Sequence, residues 1–479
     1  MTAQYAFLLD ARFCSGCKAC QAACKDKNNL PTGVLWRRVI EVSGGTWQQD
    51  GAAWSNSVFA YNLSIACNHC IHPKCVGICP THALYVREEG IVILDESKCM
   101  GCGYCSWGCP YDAPQYDSVA GCMTKCNFCI DHLEQGLPPA CVAACPMRVL
   151  DYAEPANLPV PTANELRLWD APSETHPFPL PAFSHTQPRL AIKQHPAMST
   201  MAEKILANRE EVRPRPQTGR EDLPLVLFTL LGQLAVGGVW AMAWMFSSLW
   251  PLVESDAMPL RLLPTLFLCA CLGTGMLASL MHLGTRINAW RVFSNLKHSS
   301  LSKEVLYTGL FGLGLLLVLL SMFFRQNFYI PILIAGAAGL GLVYNMAEVY
   351  RFPAAPGWNT WRTNAGFLVS AILLGIASMT PFLAYESHVT GFQVPPAQWT
   401  AIGILVLTGL LVQLAIIWRP AEMDALRETR VGFMLIGLAL AITVSFLSSV
   451  NVAMMSTLMS VFVISEEVLG RWSFYRSRL

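Results

Sequence analysis

Sixteen cysteines gathered into four clusters within the first 145 residues, and eight apolar stretches beyond residue 222, predict two unlike folds in one chain: a small α+β head, then an all-α bundle of eight transmembrane helices. Eleven prolines in residues 151–221 mark the join. The domains therefore read 1–150, 151–221 and 222–479. Composition agrees: 53% apolar and 14% charged residues are too apolar for a soluble chain of 479 residues. A net charge of +1 excludes no fold but gives no reason to expect a nucleic acid partner.

The clusters define the head. They are Cys14, Cys17, Cys20, Cys24; Cys67, Cys70, Cys75, Cys79; Cys99, Cys102, Cys105, Cys109; and Cys126, Cys129, Cys141, Cys145. The last three end in Cys-Pro. The first and third read C-x2-C-x2-C-x3-C, the spacing that wraps three thiolates around a [4Fe–4S] cube and sends the fourth to a neighbouring cube. Zinc sites close with two Cys pairs or with His, and His69 and His72 stand in no such pattern. The spacings are too short for most disulfides, no C-x-x-C-H offers covalent haem, and the start of the chain does not read as a signal peptide. The head is therefore expected to be an α+β double-ferredoxin-like iron–sulfur domain with four [4Fe–4S] clusters and no three-iron cube.

Order along the chain assigns the ligands. ALYVREEGIVILD, between Cys79 and Cys99, reads as a hairpin turning at Glu89-Gly90, so the second and third motifs form one module and exchange fourth ligands. One cube takes Cys67, Cys70, Cys75 and Cys109; its partner takes Cys99, Cys102, Cys105 and Cys79. The first and fourth motifs then pair. Cys14, Cys17, Cys20 and Cys145 hold one cube, and Cys126, Cys129, Cys141 and Cys24 the other. Cys122 stands off the pattern and reads as a bystander thiol; Cys269 and Cys271, in an apolar stretch, read as packing residues.

Residues 151–221 read as an extended linker or strap with a helix at 197–210. The apolar stretches follow near 223–247, 262–284, 305–324, 329–350, 363–386, 399–418, 431–449 and 452–470, each close to the roughly 20 residues a lipid bilayer requires. Glycines at 309, 312, 314, 336, 339 and 341 fall inside them and read as close helix approaches, not nucleotide loops. With eight spans, the side shared by the strap and the C-terminus carries Arg286, Arg291, Lys297, Lys303, Arg351, Arg362, Arg419, Arg427, Arg430, Arg471, Arg476 and Arg478. The other side carries Arg261 and Arg325. That bias puts the head on the cytoplasmic side of a bacterial inner membrane.

A bundle without a redox centre of its own must exchange electrons with a lipid-soluble carrier, a quinol. The only histidines beyond residue 222 are His282, His298 and His388, which offer no facing pair for b-type haem, so no haem is expected. Quinol oxidation releases protons that nearby groups must accept. His282, closing the second stretch, and Glu304, opening the third, are the candidates on the head side. On the residues alone each has an ordinary alternative: an interfacial histidine, and an acid in the first turn of a helix capped by Ser302. Glu348, Glu466 and Glu467 also lie in or near the stretches and read either as marks of a polar pathway or, for the last two, as acids near a span end that reach the interface; they rank below Glu304.

Residues 1–150 resemble the four-cluster iron–sulfur subunits of complex iron–sulfur molybdoenzymes in CSGCKACQAACKDKNNL, CMGCGYCSWGCPYDAPQYD and MTKCNFC…CVAACPMRVLDY. Residues 222–479 resemble the eight-span anchor of the dimethyl sulfoxide reductase family in PLVLFTLLGQ and HLGTRINAWRVFSNLKHSSLSKE. The resemblance implies a fusion of electron-transfer subunit and membrane anchor. It implies that His282 and Glu304 bind and oxidise menaquinol from the membrane quinone pool. It also implies that the Cys67 cube lies nearest the membrane and the Cys14 cube nearest a separate molybdopterin-containing catalytic subunit. That partner would reduce dimethyl sulfoxide or another S- or N-oxide in anaerobic respiration. The family's heads are on the periplasmic side, against the charge bias. Run backwards, the same relay would carry electrons from a sulfur compound or formate to quinone. An ion-translocating membrane protein with a ferredoxin sensor head is a reading of another class; it needs a chain of buried acids across the spans.

Overall fold

The cysteine motifs leave the head little sequence for regular structure, and its elements are short. The computed structural model describes residues 5–153, 167–168, 180–181, 185–193, 195–197, 223–247, 258–324, 329–391, 394–417, 425–446 and 452–476. The protein forms two units. One comprises Met1–Pro216 with Leu283–Ser299 and Phe352–Ala355; the other comprises Gln217–His282, Ser300–Arg351 and Pro356–Leu479.

In the first unit the largest sheet has the strand order Leu150–Ala153, Ala6–Asp10, Leu190–Lys193, Arg167–Leu168. Ala6–Asp10 runs antiparallel to Leu150–Ala153, with Ala6 opposite Ala153, and parallel to Leu190–Lys193, with Phe7 opposite Leu190. This pairing brings the start of the first motif beside the end of the fourth. Leu190, Ala191 and Ile192 are buried, so the proline-rich strap enters the core at this strand. The helix expected at 197–210 lies, from residue 198 on, outside the described residues.

Arg38–Gly44 and Phe59–Ile65 form an antiparallel pair between the first two motifs. The hairpin between the second and third is Leu84–Val86 with Val92–Leu94, turning through Gly90 at φ +77°. Short helices carry the inner cysteines: Ala19–Lys27 holds Cys20 and Cys24, Lys74–Ile78 holds Cys75, Tyr104–Trp107 holds Cys105 and Ala140–Ala143 holds Cys141. Gly101 takes φ +70°, and a Cβ there would lie 2.4 Å from the Gly121 carbonyl oxygen, so the third motif needs glycine for both reasons. Phe7 stacks on Phe128 at 4.2 Å within a core otherwise rich in cysteine.

The second unit contains eight long helices among the described residues: Leu223–Ser247, Met258–Met281, Ser300–Phe323, Tyr329–Glu348, Trp361–Thr390, Pro396–Ile417, Ala425–Phe446 and Val452–Arg476. The first six are long and apolar enough to cross a membrane. The seventh and eighth are as long but carry Arg430, Glu466, Glu467 and Arg471. The first and fifth touch backbone to backbone. A Cβ on Gly375 would lie 2.0 Å from the Gly237 carbonyl carbon. Of the glycines expected at close approaches, Gly314, Gly339 and Gly341 would meet Ala335, Val236 and Tyr307 at 2.7, 2.7 and 2.3 Å, while Gly309 faces open space.

Candidate functional site: a thiol nest and a buried acid

The short helices and the sheet turn the cysteines of distant motifs toward one another. Cys14 has Cys20, Cys145 and Cys17 as its charged neighbours, and these four line one pocket with Gly16 and Ser64. Cys24 lies by Cys141 and Cys129, and Cys126 by Cys24. Cys70 and Cys75 both face Cys67 and Cys109. Cys99, Cys102 and Cys105 all face Cys79. Each motif thus has thiol neighbours from another motif: the first with the fourth, and the second with the third. Successive groups are adjacent through Cys105 and Cys75, Cys126 and Cys67, and Cys20 and Cys141. Cys122 is buried on the strand Cys122–Thr124, beside Cys99.

The chemistry of this donor set fits iron–sulfur cubes. Burial, reinforced by the neighbouring cysteines, pushes the Cys24 and Cys102 thiols up to about 12. Such sulfurs ionise only against a compensating metal. Among the described residues no three Cys, His, Asp or Glu side chains close around a single ion. Neighbouring thiols drawn from two motifs suit a cage of several irons, each held by one thiolate. His69 is buried, its Nδ1 accepts the Val92 amide at 3.0 Å, and burial, then the charges of Lys125 and Arg37, hold its pKa well below the usual range.

The loop Leu283–Ser299, which joins the second and third long helices, belongs to the head. Its 3₁₀ turn Arg286–Asn295 presents two asparagines. Asn288 Nδ2 donates to the carbonyls of Ser97 and Cys99, both at 2.9 Å. Asn295 Nδ2 donates to those of Gly77 and Cys79, both at 2.9 Å. The Thr285 amide reaches the Met100 carbonyl at 3.1 Å. The loop thus grips the backbone at two cysteines of a single thiol group.

In the second unit His282 is half-buried in the turn that ends the second long helix. Glu304 is buried, one turn into the third, within electrostatic range of the Tyr350 and Tyr475 phenols. Those two hydroxyls hydrogen-bond to each other. The capping reading of Ser302 does not hold: it is a buried residue inside a helix that starts at Ser300. Arg471 lies against the same tyrosines, donates to Gln233 Oε1 at 2.6 Å and stacks 3.8 Å from the Phe367 ring centre.

Of the two readings of Glu466 and Glu467, the interfacial one does not hold. Both are buried with partners: Arg430 Nε lies 2.6 Å from Glu466 Oε1, and the Gln413 side-chain amide donates to Glu467 at 3.2 Å. Arg430 and Arg471 are therefore internal partners, not loop charges, and they leave the charge tally; the bias becomes ten (12 − 2) against two. Glu348 is half-buried, paired to Arg351 at 2.9 Å and accepting from Asn364 at 2.8 Å.

Sequence reasoning missed Arg37, Lys125, Tyr350, Tyr475 and Gln233. Arg37 sits in a run, WRRVIEV, that reads as the exposed start of a strand. Tyr475 and Arg471 belong to GRWSFYR, which reads as an interfacial belt. Nothing in either spacing signals burial.

Two family models match. Residues 58–154 match the 4Fe-4S dicluster domain, and residues 217–476 match the DMSO reductase anchor subunit (DmsC). The head is 45% identical over 193 residues to the B chain of the anaerobic dimethyl sulfoxide reductase of Escherichia coli, covering 40% of this protein and 90% of that one. It is 43% identical over 212 residues to the corresponding protein of Haemophilus influenzae, covering 44% and 99%. The B subunit of the tetrathionate reductase of Salmonella typhimurium is 40% identical over 142 residues, covering 30% and 54%.

Proposed function

The protein belongs to the dimethyl sulfoxide reductase family, as a fusion of its iron–sulfur electron-transfer subunit with its membrane anchor, and on that premise we propose that it carries electrons from menaquinol in the membrane to a separate molybdopterin subunit reducing dimethyl sulfoxide or another S- or N-oxide. The observation that carries this reading is the loop Leu283–Ser299. It is continuous with two helices of the anchor and hydrogen-bonded to the backbone of Cys79 and Cys99.

The proposed ligand sets are Cys14, Cys17, Cys20, Cys145; Cys126, Cys129, Cys141, Cys24; Cys67, Cys70, Cys75, Cys109; and Cys99, Cys102, Cys105, Cys79, in a double-ferredoxin-like head. When bound, four [4Fe–4S] clusters supply single-electron carriers. The loop favours the Cys99 set as the point of entry, in place of the Cys67 set that family resemblance implies. Cys17 is exposed, and its pocket is shared with half-exposed Met147, which favours the Cys14 set as the exit toward the catalytic partner.

Eight spans are proposed for the anchor, with the buried ion pairs making the last two compatible with lipid. Glu304 accepts a proton from a quinol hydroxyl, His282 hydrogen-bonds the quinol from the end of the second span, and Tyr350 with Tyr475 backs the carboxylate. Charge bias, without Arg430 and Arg471, still favours a cytoplasmic head. Labelling from outside of a cysteine placed in the strap would reverse that orientation.

The test of the whole reading separates the two ends of the relay. Glu304→Gln in membranes containing the catalytic partner abolishes quinol-driven reduction and leaves dye-driven reduction intact. Equal loss of both would sink the assignment. Anaerobically prepared protein holds four irons for each complete thiol set, and zinc in their place would end it.

A further inference from the structure

Arg37 follows Trp36 at the entry to the strand Arg38–Gly44, yet only 1% of it is exposed. Its Nη1 donates to the Ser64 carbonyl at 3.3 Å and to the Ser64 hydroxyl at 3.2 Å, and that hydroxyl lies 3.3 Å from Cys20 Sγ. The guanidinium lies 4.3 Å from the centre of the Phe7 ring. Its Nε and Nη2 are buried and have no hydrogen-bond partner among the described residues. No carboxylate pairs with it among those residues. The groups in reach that would become anionic as cluster ligands are the Cys141, Cys126, Cys20 and Cys24 thiols. Arginine stays charged in proteins, and a buried charge without a partner costs several kcal/mol. Something anionic must therefore face those two N–H groups in the working protein.

The four cysteines divide between two thiol sets. Cys20 belongs to the set of the first motif; Cys24, Cys126 and Cys141 belong to that of the fourth. Lys125, the other buried cation of the head, is differently placed: its Nζ donates to the Val92 and Cys126 carbonyls, and it lies near Cys75 and Cys126. Of the two, only Arg37 has whole buried nitrogens without a hydrogen-bond partner among the described residues. Adding an electron to a cube adds a negative charge, and a fixed cation beside it favours the reduced form; hydrogen bonds to its sulfurs act in the same direction.

We infer that Arg37 is a positioning residue for electron flow: its buried guanidinium, shared between the cubes of the first and fourth motifs, raises the reduction potentials of both and draws electrons toward the exit. This rests on the ligand sets proposed above. Iron content tests those sets; potentials test Arg37.

The experiment is an EPR-monitored redox titration of the full-length chain. Arg37→Gln, with iron content unchanged, lowers the potentials of two cubes and leaves the other two in place. At fixed solution potential the reduced-to-oxidised ratio of each affected cube falls at least tenfold, 59 mV for a one-electron couple. Arg37→Lys keeps the charge but loses the planar fork, and shows a smaller fall in the same two cubes. Full iron with no cube moved, or all four moved alike, overturns the inference. Should Arg37→Gln fail to hold iron, the titration of Arg37→Lys decides, and no shift in either cube overturns it there.

Discussion

Removing the side chain of Asn295 tests whether the loop of the anchor must be seated on the head for electrons to enter. Asn295 is 3% exposed, and its amide supplies hydrogen bonds to the Gly77 and Cys79 carbonyls at 2.9 Å each. Alanine removes both and leaves two carbonyls in a site too buried for water to replace the donor freely. At about 0.5–1.5 kcal/mol for each bond, the loss is about 1–3 kcal/mol of loop docking, a factor of about 5–150 in the opening equilibrium. Asn288 makes the same pair of bonds to Ser97 and Cys99 from a half-buried position, where water can substitute, so Asn288→Ala has the smaller effect. The Thr285 amide, bonded to the Met100 carbonyl, is a local reporter: its hydrogen exchange accelerates in Asn295→Ala by that factor. Quinol-driven reduction falls with it and dye-driven reduction does not. Faster exchange with unaltered quinol-driven turnover would show that the docked loop is not the entry point, and unaltered exchange would refute the hydrogen-bond account itself.

Three other perturbations follow from particular contacts. Gly375→Val places a side chain where even a Cβ lies 2.0 Å from the Gly237 backbone; helix separation costs at least the about 1–3 kcal/mol of ordinary overpacking, read as a lower melting temperature in detergent. Arg430→Gln leaves Glu466 buried without its cation and costs about 3–5 kcal/mol, whereas Arg430→Met with Glu466→Met costs much less, measured by the same melting curves. In iron-stripped protein burial holds the Cys24 and Cys102 thiols at about 12, above the ordinary value. Their stabilising contribution is therefore complete below about pH 8.5 and is lost as the pH rises toward 12. Circular dichroism of the iron-free protein should weaken across that window, and that of the loaded protein should not.

The cysteine spacings made the head legible because a cube fixes its ligands' order along the chain, and the hairpin at Gly90 followed from two apolar runs with a turn between them. The long helices were legible because length and apolarity are one-dimensional properties. What stayed hidden was every buried charge. Arg37, Arg430 and Arg471 each sit in a sequence that reads as surface, and only the fold brings Cys141, Glu466 or Gln233 to meet them. Glu466 and Glu467 were misplaced for the same reason: without a visible partner, an acid near a helix end is assigned to water. The asparagines of the loop were equally silent, since a polar side chain's partners are carbonyls nearly two hundred residues away or more.

Fusion changes what the loop contact has to achieve. In a reductase whose iron–sulfur subunit and anchor are separate proteins, docking is bimolecular, and the interface must overcome the loss of translational and rotational freedom. Here residues 151–221 join the two covalently, and a covalent join converts docking into an intramolecular step whose effective concentration is set by the length of the connection. The four asparagine bonds, the Thr285 amide and hydroxyl bonds and the His82 contact to the Ser294 carbonyl, each weak alone, then together hold the loop on the head. The described part of the strap is held at several points: Leu190–Lys193 joins the sheet that brings the first and fourth motifs together, and the Gln187 and Thr186 carbonyls accept from the Ile71 and His72 amides in the second motif. On the ligand sets proposed above, that strand lies beside the first and fourth motifs, while the asparagines hold the backbone of the Cys99 set. If the proposed relay holds, loosening the strap or the loop slows electron flow without removing a single ligand, and an unchanged rate in both cases would count against it.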